Sequence, residues 1–411
     1  GPDRRGLLAR NAALGAVVLG PRRNASNWGF NTVPDPGIDN RRDFHTLGRG
    51  LGGGTAINTL MYMRGNRRDY DGWAALGNPG WSYADVLPYF RKAENNQTHR
   101  NEFHGNEGPV WVEDLRTDNP WHGVIASACR ELGWNHNPDF NGAEQEGFNT
   151  VQVMMKGGER WHAGNAYILP HLDQRRNLTL HCETDVTRIL FDGKTASGVE
   201  VMHKGQARTL RARREVIVSA GGILSAKLLQ LSGVGDAAEL ASQGIKPVHE
   251  LKQVGRNLQD HLDIVLGYQI PLDPDLLGVS PVAAWSMLKA WRRWQAERRG
   301  MLATNFAEVT GFMKLRPDSP MPDIQYEFVI TLAMDHGRKI YPQHGMSCHV
   351  LLLHPRSHGT VKLASPDWRD DPLIDFRYLS HPEDLEDLAE GVRSFLERRS
   401  PVFGDTIDRK G

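Results

Sequence analysis

Leu47-Gly48-Arg49-Gly50-Leu51-Gly52-Gly53-Gly54-Thr55-Ala56-Ile57-Asn58 places five glycines within the seven positions 48–54. Lacking Cβ atoms, such a backbone reaches φ values closed to other residues and lets a bulky ligand approach its amides. Thr55 stands where a cap would start a helix over the apolar residues 56–63. A glycine loop running into a helix N-terminus is an anion site by geometry, because free N–H groups and the positive end of the dipole point the same way. Gly48, Gly50 and Gly53 also satisfy GxGxxG, with Asp69 about 20 residues further on, as in a dinucleotide fingerprint. That match fails upstream. The fingerprint needs an apolar strand before it, and Asp43-Phe44-His45-Thr46-Leu47, behind Arg41-Arg42, is polar. Taken alone, the cluster is equally a glycine-rich turn without a ligand.

Outward from the cluster, Arg64-Gly65-Asn66, Asp69-Tyr70-Asp71-Gly72-Trp73 and Asn78-Pro79-Gly80-Trp81 are turn-rich and end at Ser82. Ser82 with Asp85 forms a capping box that predicts a helix over 83–95, bent at Pro88. From Asn177 the period changes to two, predicting strands at 178–181 and 186–191, a turn at Asp192-Gly193, and a hairpin of 199–203 with 209–212 through Lys204-Gly205. A buried strand at 216–218 then runs through Ser219-Ala220-Gly221-Gly222 into a helix over 223–231. Strand, glycine pair and helix place a ligand at the carboxyl edge of a parallel sheet, although a tight turn with no ligand has the same pattern. Beyond residue 262, 347–354 and 359–363 read as strands, and 384–399 as an amphipathic helix through Leu385, Leu388, Val392, Phe395 and Leu396. His344, His349, His354 and His358 invite a metal, but His349 and His354, five apart on one strand, face opposite sides. No metal site is expected.

The chain has 411 residues, with 49 basic against 49 acidic side chains. This balance removes the electrostatic footprint of a nucleic-acid partner. Its 3 cysteines, Cys129, Cys182 and Cys348, are scattered, which argues against a disulfide scaffold or a zinc site and fits a reducing compartment. No apolar run approaches the roughly 18 residues of a membrane span. The expected location is therefore cytoplasmic, with peripheral attachment to the inner membrane compatible with it. Arg4-Arg5-Gly6-Leu7-Leu8 imitates a twin-arginine signal, but Arg10 and Asn11 interrupt the apolar stretch. The start without Met and the end at Arg409-Lys410-Gly411 both read as cut.

Taken in order, these blocks resemble the glucose-methanol-choline (GMC) oxidoreductases. Residues 49–81 resemble the family's first signature and residues 221–235 the second. Val254-Gly255-Arg256-Asn257-Leu258-Gln259-Asp260-His261 resembles the block that follows, and Pro355-Arg356-Ser357-His358-Gly359 with Ser365-Pro366-Asp367 the start of the carboxyl-terminal region. The sequence departs from the family pattern at Gly54 and Thr55, where two serines are common, and at Gly222 and Ala226. Ile57 stands where members with covalent flavin carry histidine.

The resemblance implies an α/β composite: an incomplete Rossmann-like FAD-binding domain (1–65 and 172–261), an inserted lid and intermediate region (66–171), and a sheet-based substrate-binding domain (262–400). It implies non-covalent FAD. Gly50, Gly52, Gly53, Asn58, Thr59, Leu60 and Met61 would line the pyrophosphate and ring side of the cofactor, the Val186 backbone would meet adenine, and Ala220-Gly221 would pass beneath the dinucleotide. The reaction implied is oxidation of a small-molecule alcohol to an aldehyde, with an unidentified electron acceptor. An aliphatic alcohol is the first choice, helped by Asp335-His336-Gly337-Arg338-Lys339, and choline the alternative. Glu308, in Asn305-Phe306-Ala307-Glu308, is the candidate substrate residue, since a carboxylate in an apolar setting suits a trimethylammonium head; a solvated or salt-bridged glutamate is the competing reading. No catalytic residue is assigned: His261 is the nearest temptation, but its block has no catalytic role in the family pattern. The family's fingerprint unit and histidine segment would lie beyond the two ends. A chain without them is expected to hold FAD weakly and to show no alcohol dehydrogenase activity; a non-catalytic relative and a lyase of the same fold are the other classes.

Overall fold

The computed structural model describes residues 1–3, 5–335 and 338–397. Arg4, His336-Gly337, the last two residues of the predicted 384–399 helix and residues 409–411 lie outside that set.

A five-stranded antiparallel sheet forms the largest core. Leu262–Gln269 pairs with Gly345–Leu352, which pairs with Ile324–Val329, then Ala307–Met313, then Gly147–Thr150. Strand residues alternate sides, so Cys348, Val350 and Leu352 share one face with Ile324, Tyr326 and Phe328. Two amphipathic helices cover that face: Trp121–Glu131 through Ile125 and Cys129, and Pro382–Leu396 through Leu388, Val392 and Phe395. The Tyr326 hydroxyl donates to the Gly391 carbonyl at 2.9 Å and fixes the second helix on the sheet. The predicted strands near 347–354 and 359–363 appear as Gly345–Leu352 and Thr360–Lys362. All three cysteines are free.

A second sheet is the meander Thr184–Asp192, Thr195–His203 and Gln206–Arg211, with turns at Asp192-Gly193 and Lys204-Gly205 as the sequence predicts. The helix Gly221–Leu231 lies beside it, and the Ser232 hydroxyl accepts the Ile189 amide at 2.9 Å. The predicted helix after Ser82 spans Tyr83–Ala93 with its capping box formed.

Three local expectations are overturned. Residues 178–181 and 216–218 are not strands; neither segment has a ladder partner among the described residues, and Ile217 is 75% exposed. Apolar, β-branched sequence makes a strand only where a neighbour supplies hydrogen bonds. Nor is the run 56–63 a helix. A 3₁₀ turn, Gly53–Ala56, ends at Ile57, Leu60 takes a positive φ of 63°, and the backbone there pairs elsewhere: Tyr62 N–H donates to Gln152 O and Met154 N–H to Leu60 O, both at 2.8 Å.

The region of 66–171 is fastened by a buried charge cluster. Glu94 accepts from Arg64 at 2.7 Å and from His104 Nδ1 at 2.9 Å, while His104 Nε2 donates to Asp139 at 2.9 Å. With both ring nitrogens facing carboxylates, the imidazole is held charged. Burial opposes that charge, yet the bonds to Asp139 and Glu94 push its pKa up to about 8. A group raised from an ordinary 6.5 contributes stability fully below 6.5 and loses it as pH rises through about 8. The wild type is therefore expected to lose about 2 kcal/mol between pH 6 and 9 from this group. His104→Gln should flatten that slope in urea melts; an unchanged slope would show that His104 carries no such linkage.

Candidate functional site

The glycine loop is built on conformations only glycine adopts cheaply. Gly50, Gly52 and Gly53 have φ of 131°, 94° and 54°. At Gly52 a Cβ would lie 2.6 Å from Nδ1 of His162, so neighbour and backbone both demand glycine. At Gly53 and Gly54 an added Cβ would meet nothing within 4 Å: here the backbone faces open space. The Thr55 hydroxyl donates to Gly52 O at 2.6 Å and accepts the Ala163 amide at 2.9 Å, closing the turn.

Arg160 and His162, which sequence reasoning did not single out, hold the loop from below. The Arg160 guanidinium is buried; Nη1 donates to Thr55 O at 3.1 Å and Asn58 O at 2.8 Å, and Nη2 to Ala12 O at 3.4 Å. Burial lowers its pKa to about 10, so it stays charged at neutral pH. Burial, and secondarily the Arg160 charge, lower the His162 imidazole to about 4 and keep it neutral.

Asn58 and Thr59 are exposed, Leu60 is fully buried, and Met61 is half-buried in a bridge to Val153. Leu60 has φ of 63°, a strained value for a leucine, secured by its amide bond to the Asn58 side chain at 3.1 Å. The segment that pairs with 60–62 leads directly to Glu308. Val151 N–H donates to Glu308 O at 3.1 Å and Met154 N–H to Leu60 O at 2.8 Å. Three residues of extended chain separate these bonds, roughly 10 Å. Two sequence candidates thus meet across one strand.

Glu308 itself is fully buried at a register shift between Ala307 and Val309. One carboxylate oxygen bonds His122 Nε2 at 2.7 Å; the other is buried with no hydrogen-bond partner among the described residues. Val186 is exposed on its strand. Arg49 reaches Asp185 at 3.2 Å, which ties the loop to the start of that strand. Ala220 and Gly221 are exposed; the helix they begin has no side-chain cap and no acid in its first turn, and a Cβ on Gly221 or Gly222 would meet only open space. Leu47 and Ile223 share one apolar cluster, which joins the feet of the two glycine segments. Both present bare backbone outward, and the second adds a helix N-terminus, a donor set suited to an anionic dinucleotide.

The sheet face opposite the two helices carries a polar row that the sequence reading also missed. His349 Nδ1 bonds Asp263 at 2.6 Å, His349 is the cross-strand partner of Glu327, and Gln325 donates to Glu327 at 3.0 Å and to Thr310 at 3.1 Å. Burial raises Glu327 to about 7. The signal was the alternation within 345–352, where His349 faces away from Cys348 and Val350. His354 bonds Asp69 at 2.9 Å, apart from the His349 pair.

A family model described as GMC oxidoreductase matches residues 6–263, and a second of the same description matches residues 355–399. The chain belongs to the GMC oxidoreductase family. It is similar to the oxygen-dependent choline dehydrogenase of Brucella anthropi, 38% identical over 403 residues, covering 98% of this chain and 71% of that protein. Similarity to the alcohol dehydrogenase (acceptor) of Pseudomonas putida is 38% identity over 387 residues, 92% of this chain and 69% of that one. The mitochondrial choline dehydrogenase of Mus musculus is also 38% identical, over 89% of this chain and 61% of its own length. Among solved structures, pyridoxine 4-oxidase from Mesorbium loti matches with a TM-score of 0.81 at 23% identity, covering 97% of this chain and 74% of that one. A FAD-dependent oxidoreductase from Chaetomium thermophilum matches with a TM-score of 0.81 at 25% identity, covering 96% and 76%. These neighbours carry the expected fold, an α/β composite joining a flavin-binding part to a sheet-based substrate-binding part.

The two glycine environments make a stability contrast. Gly52→Ala meets both an unfavourable φ and the His162 ring, and is expected to cost about 2–3 kcal/mol. Gly53→Ala meets only the backbone penalty, about 1 kcal/mol. Equal losses in urea unfolding would remove the His162 contact from this account.

Proposed function

We propose that this GMC oxidoreductase takes part in the FAD-dependent oxidation of a primary alcohol to an aldehyde, with Glu308 bordering the alcohol. The observation that carries the reading is the 151–154 segment, which holds the Glu308 backbone roughly 10 Å from that of Leu60, among the residues proposed to face the flavin. FAD is the cofactor, and when bound it supplies the acceptor for the hydride leaving the carbinol carbon. Gly50, Gly52, Gly53 and residues 58–61 would hold it on the glycine-loop side, Val186 at adenine, and Ala220-Gly221 beneath it. Ile57, an apolar residue at the position where covalent members carry histidine, supports non-covalent attachment. Residues 1–65 and 172–261 form the proposed flavin domain, 66–171 the lid and intermediate region, and 262–400 the substrate domain, whose sheet also takes in strand Gly147–Thr150 and is covered by helix Trp121–Glu131 from the intermediate region.

The chain's own contribution is orientation and exclusion of water. Leu60 and Ile57 present buried apolar side chains beneath the loop, and Arg160 fixes its carbonyls. One Glu308 oxygen is bonded to His122 and the residue has no exposed surface, so a bulky cationic head could reach the second, buried oxygen only by opening the surrounding packing. This favours an uncharged aliphatic alcohol over choline, although two of the relatives above are named choline dehydrogenases. No helix among the described residues is long and apolar enough to cross a membrane.

In a form of the protein that carries the family's fingerprint unit and histidine segment, flavin absorbance under anaerobic conditions is expected to bleach on addition of 1-hexanol and far less on addition of choline, while residues 1–411 alone are expected to leave it unbleached. Bleaching by choline alone, abolished in Glu308→Gln, would replace the neutral-alcohol reading with the choline one.

A further inference from the structure

The helix Pro281–Glu297 packs by one side only. Ala290 and Trp294 are buried against Ala13, Leu302 and Ala303. At 3.6 residues per turn, Val282, Trp285, Leu288, Lys289 and Arg292 fall on the opposite side. Trp285 is 55% exposed and Leu288 41%, and Val279, just before the cap, is 66% exposed. Lys289 Nζ lies 5.4 Å from the Trp285 ring centre. Among the described residues Arg292 has no ion-pair partner. The acids nearby are engaged on the flank: Glu297 and Asp118 bind Arg293, and Asp118 binds Arg299. Trp121 donates to Asp273. His344 sews the preceding loop to the helix, bonding Asp273 O at 2.6 Å and the Ser280 cap hydroxyl at 2.9 Å, so the apolar start of the stripe is rigidly presented.

We propose that this stripe is a membrane-surface element that seats the chain on an anionic lipid bilayer, the helix lying in the interface plane. An aromatic and aliphatic stripe flanked by Lys and Arg is the chemistry of an interfacial helix, with the apolar side chains entering the acyl boundary and the cations meeting lipid phosphates. Indole is at home at that depth. A second copy of the chain fits worse. An isologous contact about Trp285 would set Lys289 and Arg292 of each copy against the apolar start of the other copy's helix, with no acid on the stripe to offset them. The chain's overall charge is zero, so attraction to an anionic surface has to come from such a local cluster.

The test uses the whole chain and sedimentation with vesicles, and does not depend on the redox reading. Binding is expected to an equal mixture of phosphatidylcholine and phosphatidylglycerol, to be weaker on phosphatidylcholine alone, and to fall at high salt. Lys289→Gln and Arg292→Gln should each weaken it about five-fold. Brominated acyl chains should quench part of the tryptophan emission of the wild type and less of it in Trp285→Phe, with melting temperatures unchanged. Failure to sediment, equal binding to neutral vesicles, or a dimer in solution that Trp285→Ser dissociates would each overturn the proposal.

Discussion

The glycine loop depends on a buried guanidinium that has carbonyls rather than carboxylates for partners. Arg160 gathers the carbonyls of Thr55 and Asn58, where the chain leaves its turn, together with the buried carbonyl of Ala12. A buried cation without a counter-ion is tolerated only when oriented dipoles replace its hydration shell. That requirement runs both ways: the carbonyls must converge, so the loop cannot continue as a helix, whose carbonyls would point along the axis to their own amides. The failure of residues 56–63 to become helical and the burial of Arg160 are one fact seen from two sides.

This also explains what the sequence could not disclose. The glycine cluster, the capping box at Ser82, the hairpins with turns at Asp192-Gly193 and Lys204-Gly205, and the amphipathic helix near 384 were legible because each signal is local. Arg160 and His162 were not, because Gly52 needs glycine partly on account of a ring more than a hundred positions away. Strands at 178–181 and 216–218 were misread for a related reason. Their composition is that of buried strands, but a ladder is a property of two segments, and no described segment lies alongside. Family resemblance supplied the reading of the glycine segments as flavin-facing, which periodicity alone left even with plain turns.

The five-stranded sheet shows how strand alternation divides labour. Its helix-covered face is continuously apolar, with Tyr326 the main polar intrusion and its hydroxyl satisfied by Gly391. Its other face carries His349, Glu327 and Thr310 in cross-strand register, with Asp263 and Gln325 one pair further along. A one-residue slip would exchange the two sets, burying charge against the helices. The polar row therefore pins the register as firmly as the apolar core does, and holds titratable groups on one rigid surface.

Glu308 fits neither face, and the reason is a departure from that regularity. The register shift between Ala307 and Val309 re-aims one side chain, as bulges do, and Phe306 just before it has φ of 73°. The carboxylate is thereby turned to His122 on the Trp121–Glu131 helix. The other strained residue near this path is Leu60, at the far end of the 151–154 segment. Strain costs on the order of 1–3 kcal/mol per residue and persists only where surrounding contacts over-determine it. Here one short extended segment is hydrogen-bonded to Glu308 at one end and to Leu60 at the other. It couples the two, so neither can relax to an ordinary conformation without breaking a bond to that shared strand.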